Sequence, residues 1–186
     1  MLKLNLHSIR TDNFDILSKI NLRREATENI KDGKIKVLDL FAGENKLWKN
    51  FQKEKYFGVE KEKGKGKNLY GDNIKIIPTL DLSQFNVIDC DSYGIPYEQI
   101  FLIFKNKTLC KNTVVLYTCI TNRMSNMSKL CIQRNNLDKI YKKTRTIMNG
   151  KSIAYFYNLL IENGINVVRE YEIKSNFIKK YGYFII

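Results

Sequence analysis

The chain has 186 residues, the length of one domain with a normal hydrophobic core, and no apolar run approaches bilayer-spanning length. The N-terminal residues lack a signal-peptide pattern, so we expect a cytoplasmic protein with no membrane partner. The four cysteines have no C-x-x-C spacing and His7 is the only histidine, so we expect no metal site and cysteines that act as small buried hydrophobes.

The formal net charge is +13, which is large for a chain of this length. Such a surplus favours a polyanionic partner, most naturally nucleic acid. The alternative is a lysine-rich composition whose charges are spread over a solvated surface. The composition therefore predicts nucleic-acid binding and leaves the second interpretation open.

Residues 1–34 precede the first predicted strand and are expected to form a helical extension packed on the domain. Apolar residues at roughly helical spacing predict a helix over residues 13–31. Its basic residues, Arg23, Arg24 and Lys31, could touch phosphates, although a solvated face is the commoner role. The pattern thus predicts a helix and leaves the role of its charges open.

The run 37–45 reads V-L-D-L-F-A-G-E-N. Apolar residues around Asp39 predict a buried strand, and a helix is expected over residues 44–51. The turn between them contains Phe41, Ala42 and Gly43. A strand that leads through a glycine turn into a helix is typical of a nucleotide-binding βα unit. The acidic Asp39 and Glu44 would repel phosphates but suit a cationic or zwitterionic ligand.

A second strand is predicted over residues 56–60 and ends at Glu60. Glu60 follows Gly43 by 17 residues, close to the spacing at which an acidic residue binds ribose hydroxyls in dinucleotide folds. The lysine- and glycine-rich run 61–67 predicts a loop. A Gly-Asp-Asn turn at residues 71–73 then leads to a short helix.

The run 85–97 reads F-N-V-I-D-C-D-S-Y-G-I-P-Y and predicts another buried strand with polar residues at its carboxyl end. In open α/β sheets, ligands bind at that edge. The acidic residues, Asp89 and Asp91, need a reason to lie there, since burial of an unpaired charge is costly. The structural alternative to a site is capping of the helix that begins near Glu98.

These stretches resemble motifs of the class I S-adenosylmethionine-dependent methyltransferases. D-L-F-A-G resembles their first motif, with Asn45 where a second glycine is usual. F-x-V-I-D-x-D-x-Y-G-x-P resembles the fourth motif of enzymes that methylate exocyclic amino groups, and is closest to the D-P-F-G-S-P segment of the tRNA guanine-N2 dimethyltransferases. Ser92 and Ile95 depart from that segment, and the larger C-terminal domain of those enzymes has no counterpart in this sequence.

The resemblance implies a single domain over residues 1–186 with a Rossmann-like α/β fold. This fold is a three-layer sandwich whose mostly parallel sheet has about seven strands and an antiparallel C-terminal hairpin. The later predicted elements are helices over 97–107, 136–148 and 152–163, strands over 113–118, 165–173 and 181–186, and a polar basic segment over 121–136.

The resemblance also implies S-adenosylmethionine as cofactor and assigns the site residues. The cofactor-binding residues would be Asp39, Phe41, Ala42, Gly43, Glu44, Glu60, Asp72 and Asn73. Asp91 and Tyr93 would be catalytic. Tyr93, Pro96, Tyr97 and Arg123 would bind the substrate.

The resulting hypothesis is a methyltransferase acting on the amino group of a nucleic-acid base, with RNA ahead of DNA because of the guanine-N2-like motif. A DNA amino-methyltransferase is one alternative. A degenerate, non-catalytic methyltransferase fold that binds nucleic acid is another, and Asn45 is the residue that suggests it. A protein partner that supplies target recognition also stays open.

Overall fold

A computed structural model describes residues 16–28, 30, 34–63, 69–121, 126–174 and 178–186. The strands of the described residues are β1 (Lys36–Asp39), β2 (Lys55–Glu60), β3 (Leu69–Tyr70), β4 (Val87–Cys90), β5 (Val114–Thr121), β6 (Val167–Lys174) and β7 (Ile178–Ile185). The helices are α1 (Ile16–Thr27), α2 (Asn73–Ile76), α3 (Tyr97–Lys105), α4 (Lys129–Arg134), α5 (Asp138–Gly150) and α6 (Ser152–Glu162), with 3₁₀ turns at Ile77–Thr79 and Leu82–Gln84.

All seven strands belong to one sheet in the order β3-β2-β1-β4-β5-β7-β6. The pairs from β3 to β5 are parallel, and β7 is antiparallel to both β5 and β6. The predicted mixed sheet with its antiparallel C-terminal hairpin is therefore confirmed. The chain moves outward from β1 in one direction and from β4 in the other, so the point where the strand order reverses lies between β1 and β4. Ligands bind at such a point in open α/β sheets.

The sheet separates two hydrophobic layers. Successive strand residues point to opposite faces, and in β1 Val37 packs toward α1 while Leu38 packs on the other side. The α1 side contains Leu22, Ala26, Trp48, Val87, Leu116 and Tyr181. The opposite side contains Ile88, Ile100, Ile103, Val115, Phe156 and Leu159. Helix α1 thus forms one outer layer, and α3 and α6 form part of the other.

The predicted helix over 44–51 is wrong: these residues form consecutive turns. Gly43 has φ 51° and Asn45 has φ 61°, both in the left-handed region, so a right-handed helix cannot begin there. The first helix is shorter than predicted and ends at Thr27, and the segment 121–136 contains the helix α4. Strand β3 was not predicted, because two exposed residues carry no periodic pattern.

Three of the cysteines are buried as expected, but Cys110 is exposed in the turn before β5. Gly164 follows the end of α6 with φ 70°, the left-handed conformation that glycine commonly adopts after a helix. Among the described helices, none has the length and apolar character needed to cross a membrane.

A partly buried polar cluster joins the C-terminal hairpin to β5 and α6. Glu170 of β6 accepts hydrogen bonds from the hydroxyls of Tyr117 and Tyr157 and from Lys180 Nζ at 2.8 Å. The Tyr117 hydroxyl reaches Glu170 across Gly182 of the intervening strand β7. A Cβ atom at Gly182 would lie 2.5 Å from the Tyr117 hydroxyl, so only glycine leaves room for this contact.

We predict that Gly182→Ala lowers the free energy of unfolding by about 1–3 kcal/mol, because the added methyl group forces Tyr117 away from Glu170. Urea denaturation measures the effect. Gly150→Ala is the matched control, since nothing lies within 4 Å of a Cβ atom there; it should leave stability unchanged or raise it by up to about 1 kcal/mol, because alanine is a better helix former than glycine. Equal stability of Gly182→Ala and the wild type would contradict the packing described.

Candidate functional site

Three aspartates lie on the α1 side of the sheet, where β1 and β4 end. Asp39 and Asp89 are register partners on these neighbouring parallel strands. Asp91 follows two residues after Asp89, just past the end of β4. The sheet therefore brings three carboxyl groups together at the point where its strand order reverses.

Arg23 of α1 lies among these carboxyl groups and is almost completely buried, with 3% of its surface exposed. Its Nε atom donates to Asp89 Oδ2 at 2.8 Å, and Nη2 lies 2.6 Å from the same oxygen and 3.7 Å from Asp91 Oδ2. The indole Nε1 of Trp48 donates to that Asp89 oxygen too, at 2.7 Å. A buried guanidinium thus neutralises the aspartate at the centre of the site.

Lys19, one turn before Arg23 in α1, holds Asp91. Its Nζ atom lies 2.8 Å from Oδ1 and 2.9 Å from Oδ2 of that carboxylate. The hydroxyl of Thr118 in β5 also donates to Asp91 Oδ1, at 2.6 Å. Both oxygens of the predicted catalytic aspartate are therefore engaged by side chains of α1 and β5.

Asp39 is bound mainly by neutral donors. Its Oδ1 accepts from the backbone N–H of Phe41 at 3.1 Å, and its Oδ2 accepts from the Tyr56 hydroxyl at 2.9 Å. Burial, and after it the nearby Asp89 carboxylate, raise the pKa of Asp39 to about 8, because Arg23 and the hydrogen bonds to Asp39 offset only part of their effect. Asp39 therefore carries its proton over much of the neutral range.

The other charged groups respond to the same cluster. Burial raises the pKa of Asp89 despite the nearby Arg23, and Asp89 Oδ1 has no hydrogen-bond partner among the described residues. Burial acts to raise the pKa of Asp91 as well, but Lys19 and Arg23 outweigh it, so that pKa is lowered. The pKa of Arg23 is raised, because the carboxylates outweigh the effect of burial. Asp91 is thus the aspartate most firmly held in its ionised form.

The turn after β1 keeps the geometry of a glycine-rich loop. Asn45 adopts a left-handed backbone conformation, which asparagine tolerates better than other non-glycine residues, and its side-chain Oδ1 lies 2.9 Å from the Tyr56 hydroxyl oxygen. Glu60 accepts from the backbone N–H of Gly43 at 2.8 Å. The two motifs that were paired by their spacing are therefore joined directly. Ala42 is buried beneath this turn, and Glu44 is exposed beside it.

Asp72 and Asn73 begin α2 close to the same edge. Asp72 caps the helix by accepting from Ile74 N at 3.1 Å. Asn73 Nδ2 donates to the carbonyl oxygen of Leu40 at 2.9 Å, and its Oδ1 accepts from Gln99. Asn73 thus links α2 to the end of β1 and to α3.

The turn from Asp91 to Pro96 places one aromatic ring in solvent. Tyr93 is 70% exposed, and the following Gly94 has φ 139°, a conformation that glycine tolerates. The buried hydroxyl of Ser92 donates to the carbonyl oxygen of Thr118 at 3.0 Å, which fixes the turn to β5.

Two other predicted substrate-binding residues, Pro96 and Tyr97, are not exposed beside Tyr93. Pro96 and Tyr97 are buried, and the Tyr97 hydroxyl accepts from Arg134 at 3.1 Å, so neither ring faces a substrate at the surface. Arg123 lies outside the described residues, so its role stays a prediction.

The side chains that bind the three aspartates were not predicted from the sequence. These groups are Lys19, Arg23, Trp48, Tyr56 and Thr118. One signal was present: Lys19 and Arg23 are spaced i,i+4 and share a helix face with Leu22 and Ala26. Two basic residues on an otherwise apolar face, in a chain with three acidic residues at strand ends, are the expected pattern of a buried ion-pair cluster.

We predict that the pH dependence of stability contains a contribution from Asp39. The folded protein keeps this proton to about pH 8, whereas the unfolded chain loses it near the ordinary value of 3.8. Between these values the folded state binds more protons, so the free energy of unfolding falls as the pH rises. Asp39→Asn removes this contribution, and its stability should fall less between about pH 5 and about pH 8.

Urea denaturation across this pH range measures the slope. Asp81→Asn is the control: hydrogen bonds from Ser83 and Gln84 lower the pKa of the exposed Asp81, so its contribution lies at more acidic pH. That variant should follow the wild-type slope. If Asp39→Asn follows the wild-type slope as well, the raised pKa of Asp39 is wrong.

No model of a protein family matches the chain, and no curated protein matches it. Solved structures do match it. TYW2 from P. horikoshii, in complex with MeSAdo, is similar with a TM-score of 0.59 and 12% identity, over 98% of this chain and 67% of that chain. A SAM-dependent methyltransferase from Leishmania major is similar with a TM-score of 0.53 and 15% identity, over 91% and 73%.

The N-methyltransferase NodS from Bradyrhizobium japonicum WM9 is similar with a TM-score of 0.53 and 10% identity, over 94% of this chain and 97% of that chain. Similarity at these levels of identity shows the fold. The chain has the Rossmann-like fold of the class I S-adenosylmethionine-dependent methyltransferases.

Proposed function

We propose that this protein is an S-adenosylmethionine-dependent methyltransferase that acts on an amino group of a nucleic-acid base, with RNA as the favoured substrate. The observation that carries the proposal is the exposed ring of Tyr93 two residues after Asp91, at the carboxyl edge of β4. An exposed aromatic ring beside a carboxylate can stack on an unpaired base while its amino group lies near an acceptor.

The residues at this edge suit a cofactor with an adenosyl group and a cationic centre. The left-handed turn at Gly43 and Asn45 lets a ligand approach the backbone closely, and Glu60 lies against Gly43 where it could accept from ribose hydroxyls. The bound cofactor would supply an electrophilic methyl group. NodS is an N-methyltransferase and TYW2 was solved with MeSAdo, so proteins of this fold include both features.

Asp91 supports catalysis as a hydrogen-bond acceptor. Its lowered pKa keeps it ionised, and an ionised carboxylate that accepts an amine N–H makes the nitrogen more nucleophilic. Lys19 engages both oxygens, so an incoming amine uses a remaining lone pair of the carboxylate or replaces one of these two bonds. Lys19 has a flexible side chain and can yield that bond without movement of the sheet.

The preference for RNA rests on two observations. The net charge of +13 fits a polyanionic substrate, and the D-S-Y-G-I-P segment resembles that of the tRNA guanine-N2 dimethyltransferases. A DNA amino-methyltransferase would share the same motif, so transfer to DNA is assayed beside transfer to RNA.

A second candidate function is a non-catalytic nucleic-acid-binding module with a methyltransferase fold. The specific observation in its favour is the two-bond contact of Lys19 with Asp91, which occupies the predicted acceptor. The glycine-like conformation of Asn45 argues against it, because the cofactor turn keeps its geometry despite the substitution. A non-catalytic module would neither bind S-adenosylhomocysteine nor transfer a methyl group.

The test is transfer of a radiolabelled methyl group from S-adenosylmethionine to total RNA and to DNA, each with a nuclease control. We predict transfer to RNA by the wild type. Tyr93→Ala should lower kcat/KM by about 10- to 100-fold, since stacking on an aromatic ring contributes about 1–3 kcal/mol.

Tyr93→Phe is the matched variant, because it keeps the ring and removes only the hydroxyl. It should retain most of the wild-type rate. Both substitutions alter an exposed side chain and should leave stability almost unchanged. Equal turnover by Tyr93→Ala and the wild type would exclude the ring from substrate binding, and nuclease-resistant label would exclude a nucleic-acid substrate.

A further inference from the structure

The segment over residues 126–151, which we call the basic arm, concentrates the positive charge of the chain. It carries seven Lys and Arg residues and one acidic residue, Asp138, and so contributes six of the thirteen net positive charges. The basic residues are Lys129, Arg134, Lys139, Lys142, Lys143, Arg145 and Lys151. The surplus is therefore concentrated in this segment, mainly in the helices α4 and α5, rather than spread evenly.

Helix α5 presents part of this charge on one face. Met148 and Asn149 are buried against the rest of the protein. Lys139, Lys142 and Lys143 are exposed in the first half of the helix, before the non-helical backbone of Thr144, and their spacings of three and four residues place them close together on its surface. We call these three lysines the α5 basic face.

Among the described residues, no carboxylate neutralises the α5 basic face. None of its lysines forms an ion pair with a carboxylate in the part of the chain that the structure describes, whereas Arg134 of the same arm pairs with Glu162 at 3.0 Å. Like charges at i,i+3 and i,i+4 destabilise a helix by a few tenths of a kcal/mol per pair. The arrangement therefore costs stability unless an anion is bound.

The basic arm is attached directly to the candidate site. Leu130 N at the start of α4 donates to Glu98 Oε1 at 3.1 Å, and Glu98 lies in the first turn of α3, just after the turn that carries Tyr93. Met127 N donates to the buried Asn149 Oδ1 at 3.0 Å, which ties the last turn of α5 to the chain leaving β5. Helix α5 is thus anchored at the edge of the sheet where Tyr93 is exposed.

We propose that the α5 basic face binds the phosphate backbone of the RNA whose base is methylated beside Tyr93; this inference rests on the function proposed above. Lysine ammonium groups contact phosphates as point charges and position a nucleic acid without reading its sequence. The isoleucines that border the face, Ile140 and Ile147, are more than half exposed. A basic face beside apolar residues also fits an anionic lipid surface. RNA is favoured because α4 of the same basic arm is bonded to Glu98 of α3, which follows the turn that carries Tyr93.

The test compares two triple variants that remove the same charge. Lys139→Gln, Lys142→Gln and Lys143→Gln are combined in one variant. The control combines Lys105→Gln, Lys107→Gln and Lys111→Gln, which are exposed and precede β5 at the opposite edge of the sheet. Binding of a fluorescein-labelled RNA hairpin is measured by anisotropy over a range of salt concentrations, with S-adenosylhomocysteine binding and co-sedimentation with phosphatidylserine vesicles in parallel.

We expect the α5 variant to bind the hairpin at least about tenfold more weakly near 0.1 M salt, with the slope of log affinity against log salt reduced by about two to three. The control should bind within about threefold of the wild type, because its charges do not contact the phosphates. Unchanged binding of S-adenosylhomocysteine by both variants shows that they are folded at the site.

Equal RNA binding by the α5 variant and the wild type overturns the proposal, and so does an equal loss in both triple variants. Loss of vesicle binding with unchanged RNA binding overturns it in favour of a lipid surface. In these cases methyl transfer to RNA by the wild type would still uphold the proposed function. Absence of both RNA binding and RNA methylation by the wild type would overturn the two proposals together.

Discussion

The contact between Arg23 and the aspartates at the ends of β1 and β4 is the constraint on which the site depends. Two parallel strands bring Asp39 and Asp89 side by side on one face of the sheet, where their carboxylates repel each other if both are ionised. Arg23 reduces this repulsion by neutralising Asp89, and protonation of Asp39 reduces it further. Loss of one partner from a buried ion pair of this kind typically costs about 3–5 kcal/mol.

The N-terminal helix is consequently part of the candidate site. Lys19 and Arg23 are buried while Leu17 of the same helix is 71% exposed, so the polar side of α1 faces the protein at this end. The helix crosses the carboxyl edge of β4, where Asp91 is held between Lys19 and Thr118. One turn of α1, from Lys19 to Arg23, therefore both packs on the sheet and determines the charge of Asp91 and the access of a ligand to it.

Much of the sheet could be predicted because strands carry local signals. The spacing of Glu60 from Gly43 predicted that both residues belong to one site, and the structure joins them by a hydrogen bond that the spacing did not predict. The prediction of a helix directly after Gly43 was wrong, because Asn45 has a left-handed backbone conformation. Its side chain contacts Tyr56, eleven residues away, which no local pattern reveals. The role of Arg23 could not be derived from its own surroundings, since its partner Asp89 is 66 residues distant. Local patterns thus predicted where the strands end. They did not predict the ion pairs between distant residues that stabilise the carboxylates at those ends.

We propose that the edge of the sheet formed by β1, β2 and β4 binds the adenosyl cofactor. Titration with S-adenosylhomocysteine tests this proposal most directly. At about 100 times its Kd the ligand should add about 2.7 kcal/mol and raise the Tm by about 5–10 °C. Glu60→Gln should weaken binding by about tenfold or more, since an amide is a poorer acceptor for ribose hydroxyls than a carboxylate. An unchanged Tm with the wild type at millimolar ligand would contradict the claim.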